Sequence, residues 1–146
     1  MKRLIIVIIG MCIAGLHGCH ETTVGYLKTE NAEYAPGSME VRRTLDPDRT
    51  PDANMIVSGA DWVSNEMAGV LGTNPLIFTL ENVKATDGGN AELFREQVRV
   101  IGGGRVYFPS KDIKAPNGTY VLSIRVSNPG YSAVVEDVFT VIIKDN

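Results

Sequence analysis

The chain has 146 residues and carries 14 lysine and arginine residues against 17 aspartate and glutamate residues, a formal net charge of −3. This acidic balance argues against nucleic acid and anionic lipid as partners, because both attract basic surfaces. The length is sufficient for one hydrophobic core but hardly for two.

The N-terminus is typical of a secretory signal. Lys2 and Arg3 precede an apolar run over residues 4–16, and small residues follow it. As a helix this run would extend only about 20 Å, which is short of the roughly 30 Å that a bilayer core requires. The sequence therefore predicts a cleaved signal peptide over residues 1–18 rather than a permanent membrane-spanning helix.

The signal ends in Leu16-His17-Gly18-Cys19, with an aliphatic residue three places before the cysteine and a small residue directly before it. This segment resembles the bacterial lipobox, although His17 stands where that family usually has a small or β-branched residue. The resemblance implies that Cys19 receives acyl chains such as palmitate and becomes the first mature residue. We then expect a lipid-anchored protein of the cell envelope, at the outer membrane. The alternative is a plain secretory signal with an incidental cysteine.

Cysteine usage limits how the mature chain can be stabilised. Cys12 lies inside the apolar run, so removal of the signal leaves Cys19 alone, and no disulfide can form within the chain. The remaining 128 residues (146 − 18) keep 12 cations (14 − 2) against 17 acids, a charge of about −5. An exported domain of this kind depends on its own hydrophobic core.

Residues 19–38 are predicted to form the lipidated N-terminus and a flexible tether. From His20 onward they are polar and poor in aliphatic residues, and Pro36-Gly37 closes the stretch. The alternative is that this stretch packs as an edge strand or docks on a partner through Tyr26, Leu27 and Tyr34.

Residues 46–52 form a second irregular stretch, which carries two prolines and so is excluded from a central strand. Its oxygen ligands, Asp46, Asp48 and Asp52, are of the kind that hold calcium in a loop. A solvated acidic turn is the favoured interpretation.

Residues 39–146 show short apolar runs separated by turn residues, which predicts one mostly β domain, an antiparallel β-sandwich of about seven strands with little helix. The clearest strand spans residues 119–127, where apolar and polar residues alternate. A second long strand, apolar on both faces as a central strand would be, spans residues 134–144. Further strands are predicted at residues 39–45, 55–57, 76–80, 99–101 and 106–108, and one or two helical turns at residues 91–97.

Four segments carry a resemblance to known domains: residues 72–78, 104–108, 118–124 and 139–143. They resemble the immunoglobulin-like and cadherin-like sandwich domains of bacterial envelope lipoproteins, including accessory lipoproteins of Sus-type glycan-utilisation systems. The resemblance implies a non-catalytic domain that binds a glycan or a partner envelope protein. The chain lacks the acidic motifs with which true cadherin repeats bind calcium, so neither a metal nor another cofactor is implied.

The residues needed for common catalytic sites are missing from the sequence. After cleavage only His20 remains beside Cys19, whereas Ser-His-Asp, Cys-His and ordinary zinc sites need an ordered histidine or clustered cysteines. Residues 102–104 are three glycines that favour a hairpin turn over an anion-binding loop. We therefore expect no enzymatic activity, and a small hydrolase using two carboxylates about 5–10 Å apart is a remote alternative.

The candidate ligand-binding residues are Trp62, Asp61 and Tyr131. Trp62 is the only tryptophan and could stack on a sugar ring while Asp61 and Asn65 bind its hydroxyls, although a core position is the favoured alternative. Tyr131 lies in a Pro-Gly turn, where exposure is expected. A structural or adhesive surface subunit is the alternative function, and it should present a free edge strand for β-augmentation.

Overall fold

A computed structural model describes residues 25–145, which form a mostly β domain of packed sheets, as predicted. Nine strands and two short helices are present in this range, against the predicted seven or so strands. The strands are β1 (Leu27–Lys28), β2 (Ser38–Arg42), β3 (Trp62–Val63), β4 (Leu71–Gly72), β5 (Ile77–Thr86), β6 (Arg99–Ile101), β7 (Arg105–Phe108), β8 (Gly118–Ser127) and β9 (Ser132–Lys144), and the helices are α1 (Thr50–Ser58) and α2 (Ala91–Arg95).

The main sheet has four strands in the order β2-β9-β8-β5. Strands β5, β8 and β9 pair antiparallel, whereas β2 joins β9 in parallel. A second sheet has the order β3-β7-β6, and β1 and β4 form a separate antiparallel pair. Strands β2 and β3 are therefore edge strands of different sheets.

The two long strands behave as their alternation predicts. Every second residue of β8 is completely buried, so one face of this strand belongs entirely to the core. Strand β9 is central, and the residues Phe139, Val141 and Ile143 face the same core. The predicted hairpin at residues 99–108 is also confirmed as β6 and β7.

Helix α2 joins the two sheets through one side chain. Phe94 is completely buried and stacks on Phe108 of β7, with ring centroids 4.8 Å apart, and on Tyr120 of β8, at 4.3 Å. The hydroxyl of Tyr120 donates to the carbonyl of Pro116 at 2.7 Å and accepts from the amide of Asn90 at 3.2 Å. This aromatic stack anchors both the helix and the loop that precedes β8.

The predicted tether is wrong for residues 25–38, which pack on the domain. Strand β1 pairs with β4, and Glu33 forms a bridge to Ala68. Tyr34 is only 5% exposed, and its ring lies 4.6 Å from that of Phe139. Burial of this aromatic side chain stabilises the packing of the segment on the domain. Cys19, the rest of the predicted tether and the predicted signal peptide lie outside the described residues.

The strand predicted at residues 55–57 is wrong, because these residues belong to α1. Pro51 occupies the first turn of this helix, where a missing amide hydrogen costs nothing. Gly59 ends it with φ of 65°, and its amide donates to the carbonyl of Met55 at 2.8 Å. These start and stop signals outweigh the local β propensity of Ile56 and Val57.

Candidate functional site

A cleft of about 220 Å³ lies where the edge strands β2 and β3 approach each other. Its floor includes the buried ring of Phe139, and Val63, which is 43% exposed, lies at its mouth. Polar and apolar side chains share its wall, which consists of Pro36, Ser38, Met39, Val63, Ser64, Asn65 and Phe139.

Hydrogen bonds hold the polar wall of the cleft in place. The hydroxyl of Ser64 donates to the carbonyl of Asn65 at 2.7 Å and accepts from the amide of Val106 at 2.9 Å. The side-chain amide of Asn65 donates to the carbonyl of Ala35 at 2.7 Å. These contacts connect β3, β7 and the N-terminal segment, and they fix the position of the polar wall.

The backbone of β2 is free on one side. The carbonyl of Gly37 accepts from the amide of Thr140, and the amide of Arg43 donates to the carbonyl of Lys144. Since backbone groups alternate in direction along a parallel ladder, the N–H and C=O groups of residues 38, 40 and 42 point away from β9. Outside the pairing with β9, no backbone hydrogen bond within residues 25–145 uses these three residues. They form an open edge beside the cleft.

Trp62 is half-buried and packs against the core. The guanidinium carbon of Arg42 lies 5.0 Å above its ring, and its indole nitrogen is buried without a hydrogen-bond partner. Asp61 forms an ion pair with Arg99 at 2.6 Å. One face of the predicted stacking ring is thus covered by a cation, and its acidic neighbour is already paired.

Tyr131 is 45% exposed in the turn between β8 and β9, and it has an unexpected neighbour. The side-chain amide of Asn128 donates to the carbonyl of Tyr26 at 2.9 Å and accepts from the amide of Tyr131 at 2.9 Å. Tyr26 is itself 51% exposed. Two exposed tyrosines therefore lie on either side of one asparagine. Tyr26 and Asn128 are 102 positions apart in the sequence, so local sequence patterns do not predict this contact.

The predicted residues do not form one site. Tyr131 directly precedes the first residue of β9, whereas Trp62 lies against Arg42, which pairs with Lys144 at the other end of that strand. The 12 residue steps of β9 between Ser132 and Lys144 correspond to roughly 40 Å. Trp62 and Tyr131 therefore lie towards opposite ends of the main sheet.

One aspartate of the acidic loop differs from the predicted solvated turn. Asp52 is completely buried, so the solvated acidic turn is wrong for this residue. Arg42 donates to both carboxylate oxygens, with its Nε 3.1 Å from Oδ2, and Asp46 donates its amide to the same carboxylate at 3.1 Å. The hydrogen bond from Arg42 holds the pKa of Asp52 below its ordinary value. No group of three or more metal-binding side chains occurs in the range 25–145.

The buried serine on the outer face of the main sheet has acidic partners. Ser123 donates to Glu136 at 3.1 Å and accepts from the amide of Asp137 at 3.0 Å. The nearby Lys84 is bound to Asp137 at 2.6 Å, and this hydrogen bond raises the pKa of Lys84. The charged form of this lysine is therefore favoured, and the cluster is a hydrogen-bonded network between β5, β8 and β9.

Comparison with known proteins finds no matching family model, no matching curated protein and no matching solved structure. Neither helix within residues 25–145 has the length and apolar character needed to span a bilayer.

Proposed function

We propose that this chain is a non-catalytic, lipid-anchored envelope protein that binds an extended segment of a partner protein. The observation that carries the proposal is the cleft of about 220 Å³ beside the free edge of β2. An added strand would take its main-chain hydrogen bonds from residues 38, 40 and 42 and insert a side chain into the cleft. This is the geometry of β-augmentation, in which the backbone supplies affinity and a pocket supplies specificity.

The size of the cleft favours a protein segment over a glycan at this place. Binding sites for drug-sized molecules have volumes of roughly 300–1,000 Å³, whereas this cleft has room for one or two side chains. Its aromatic residue, Phe139, is 1% exposed and presents no ring face for stacking on a sugar. An apolar side chain, flanked by polar groups that bond to Ser38 and Asn65, is the occupant we propose.

The anchor is proposed from the lipobox-like segment that ends in Cys19. Acylation there would hold the domain at the envelope, at the outer membrane by analogy with the lipoproteins that the sequence resembles. We also propose an immunoglobulin-like relationship for the sandwich. The order β2-β9-β8-β5 facing β3-β7-β6 supports it, as does the bond from the Tyr120 hydroxyl to a carbonyl four residues upstream, which resembles the tyrosine corner of that fold.

Membrane fractionation and intact mass test the anchor. Expression of the full chain should give a mature protein that begins at Cys19, carries acyl chains and sediments with membranes. The Cys19→Ala variant should lose the acyl mass and the membrane association. An unlipidated wild-type chain in the soluble fraction would overturn the anchor.

Site-specific crosslinking in intact cells tests the cleft. A photoreactive phenylalanine analogue at Val63 should capture a partner, whereas the same residue at Val57, which is 89% exposed on α1, should not. Glu40→Pro removes an amide at the open edge of β2, and should abolish the adduct. Its matched control, Glu40→Ala, loses the same ion pair with Lys144 but keeps the amide, and should retain the adduct. Equal crosslinking in both variants would contradict strand addition.

A glycan ligand is the second candidate, and it would use the other end of the sheet. Tyr26 and Tyr131 are half-exposed beside the side chain of Asn128, a combination that suits stacking on a sugar ring and bonding to its hydroxyls. Under this alternative, Tyr131→Ala should remove the signal of the full chain on a glycan array. Trp62→Phe, at the far end, should leave that signal unchanged.

A further inference from the structure

The end of the domain where the chain enters presents an exposed apolar surface. Four large apolar side chains form it, each between 45% and 58% exposed, and we call them the entry-end surface: Tyr26, Leu71, Ile77 and Tyr131. They account for half of the eight exposed large apolar residues found between residues 25 and 145.

Backbone contacts bring these residues to one end. Asn128 links Tyr26 to Tyr131, and Ile77 pairs with Ser127, directly before that asparagine. Leu71 is in β4, and the amide of Thr73, two residues further on, donates to the carbonyl of Tyr26 at 3.0 Å. The surface is thus built on paired strands and a tight turn.

This end carries few charges, although the chain is acidic. The nearest are Lys28 and the ion pair between Arg125 and Glu81, whose arginine donates to Ser132 at 3.0 Å. Residues 25–27, 67–80 and 126–135 contain no charged residue, and the next residue after the first segment is a cation, Lys28, which pairs with Leu71. The opposite end of the sheet, around the pairs Thr86–Thr119 and Gly118–Ile143, has charged residues in its loops and terminus: Asp87, Lys111, Asp112, Lys114 and Asp145.

The entry-end surface also lies close to the proposed lipid. From Cys19 to Gly25 there are six residue steps (25 − 19), which span at most about 22 Å when fully extended. The first described residue of the domain therefore stays within this distance of the acylated residue. A tyrosine-bearing end with few charges at the anchor reduces the repulsion between the acidic domain and anionic headgroups where the two are closest.

We propose that the entry-end surface rests in the headgroup region of the bilayer, an inference that depends on the proposed lipid anchor at Cys19. Tyrosine is enriched at this depth because its ring is apolar and its hydroxyl is polar. The short link to the lipid would make the contact intramolecular, which raises its effective concentration.

This orientation determines where the partner cleft faces. Phe139, in the floor of the cleft, is seven residue steps (139 − 132) along β9 from Ser132, which corresponds to roughly 23 Å. With the entry-end surface on the bilayer, the cleft lies above the headgroups. A partner anchored in the same membrane could reach it.

Fluorescence quenching in vesicles tests the inference with the full, lipidated protein. Two single-cysteine variants, Ser132→Cys and Thr86→Cys, carry the same environment-sensitive fluorophore at exposed positions at opposite ends of the domain. Ser132 follows Tyr131 directly, so both tyrosines of the surface are kept. Acylation occupies the thiol of Cys19, and Cys12 leaves with the signal, so each variant has one reactive thiol. The variants are reconstituted into phosphatidylethanolamine–phosphatidylglycerol vesicles with or without a lipid that carries a nitroxide near its headgroup. Emission of Trp62, the single tryptophan, verifies that each variant is folded.

We expect the nitroxide lipid to reduce emission strongly at position 132 and not at position 86. Quenching at neither position, or at both, in protein that floats with the vesicles would overturn the orientation and leave the anchor standing. Binding of the surface to a glycan instead of lipid would give the first of these outcomes. Protein that carries no acyl mass and does not float would overturn the anchor, and the orientation with it.

Discussion

Arg42 of β2 and Asp52 of α1 form a two-pronged ion pair in which the carboxylate is completely buried. Asp52 is the only buried residue of α1, so this polar contact, rather than an apolar face, attaches the helix to the domain. Arg42 also covers the ring of Trp62. One arginine thus connects the edge of the main sheet, the helix and the second sheet.

Removal of the charge at Asp52 should destabilise the fold strongly. Asp52→Asn leaves the guanidinium of Arg42, whose side chain is 12% exposed, without its counter-ion, and a broken buried pair costs far more than a broken surface pair. Urea unfolding followed by Trp62 fluorescence measures the change. Asp48→Asn, at an exposed position in the same loop, is the control and should leave the midpoint nearly unchanged. Equal midpoints for the two variants would mean that α1 does not depend on the pair.

Stability should decline in acid because several carboxylates are paired. The pKa of Asp52 is lowered from 3.8 chiefly by its hydrogen bond from Arg42, and that of Glu81 is lowered from 4.5 chiefly by its hydrogen bond from Arg125. A depressed pKa gives stability that is fully present above the ordinary value and is lost as the pH falls through the folded-state value. The urea midpoint should therefore hold between pH 7 and pH 5 and fall below about pH 4. The decrease of the urea midpoint below pH 4 should be shallower in Asp52→Asn than in the wild type. An unchanged slope would mean that groups other than Asp52 cause the decrease.

The Tyr120 hydroxyl should contribute measurably to stability. Tyr120→Phe keeps the ring on Phe94 but removes the bond to the Pro116 carbonyl and leaves the Asn90 amide without its acceptor. We expect a loss of about 1–3 kcal/mol in the free energy of unfolding. Tyr131→Phe removes a hydroxyl from a half-exposed ring and should change that free energy by less than about 0.5 kcal/mol. If both variants changed the free energy of unfolding equally little, Tyr120 would stabilise the fold through its ring and not through its hydroxyl.

The parts of the fold that the sequence predicts are those with a strong local period. Residues 119–127 have a period of two, and β8 buries the alternate apolar set completely: Tyr120, Leu122, Ile124 and Val126. The three glycines at residues 102–104 predict a hairpin, and Gly102 and Gly104 do adopt positive φ between β6 and β7. Each of these two patterns lies within about ten residues, so local sequence is sufficient to predict strand β8 and the hairpin of β6 and β7.

The features that escaped prediction depend on contacts between distant residues. The pairing of Asn128 with Tyr26 spans 102 positions, and Asp52 became buried because Arg42, ten residues earlier, faces it. Neither partner is marked by composition or spacing. The cleft is likewise a product of how β2 and β3 meet. Sequence reasoning identified Tyr131 as an exposed ring, but its neighbours required the fold.

The docking of the N-terminal segment can be tested with a pair of glycines. Gly69 has φ of 74°, and a Cβ atom there would lie 1.8 Å from the carbonyl oxygen of Asn31. Gly102 has a similar φ of 62°, but a Cβ atom there would meet nothing within 4 Å. Gly102→Ala therefore carries only the backbone cost of the left-handed conformation, about 1–2 kcal/mol. Gly69→Ala carries the same backbone cost and also a collision with the main chain of the docked segment.

We expect Gly69→Ala to displace residues 25–34 from β4, with which β1 pairs. The carbonyl oxygen of Asn31 belongs to the main chain and cannot avoid the collision by a change of rotamer. Its free energy of unfolding should fall well below that of Gly102→Ala, and cleavage by trypsin after Lys28 should accelerate in the first variant only. If the segment were instead a free tether, the two substitutions would cost the same and Lys28 would already be cleaved rapidly in the wild type. The relative cost of two alanines thus distinguishes a domain that starts near residue 26 from one that starts at residue 39.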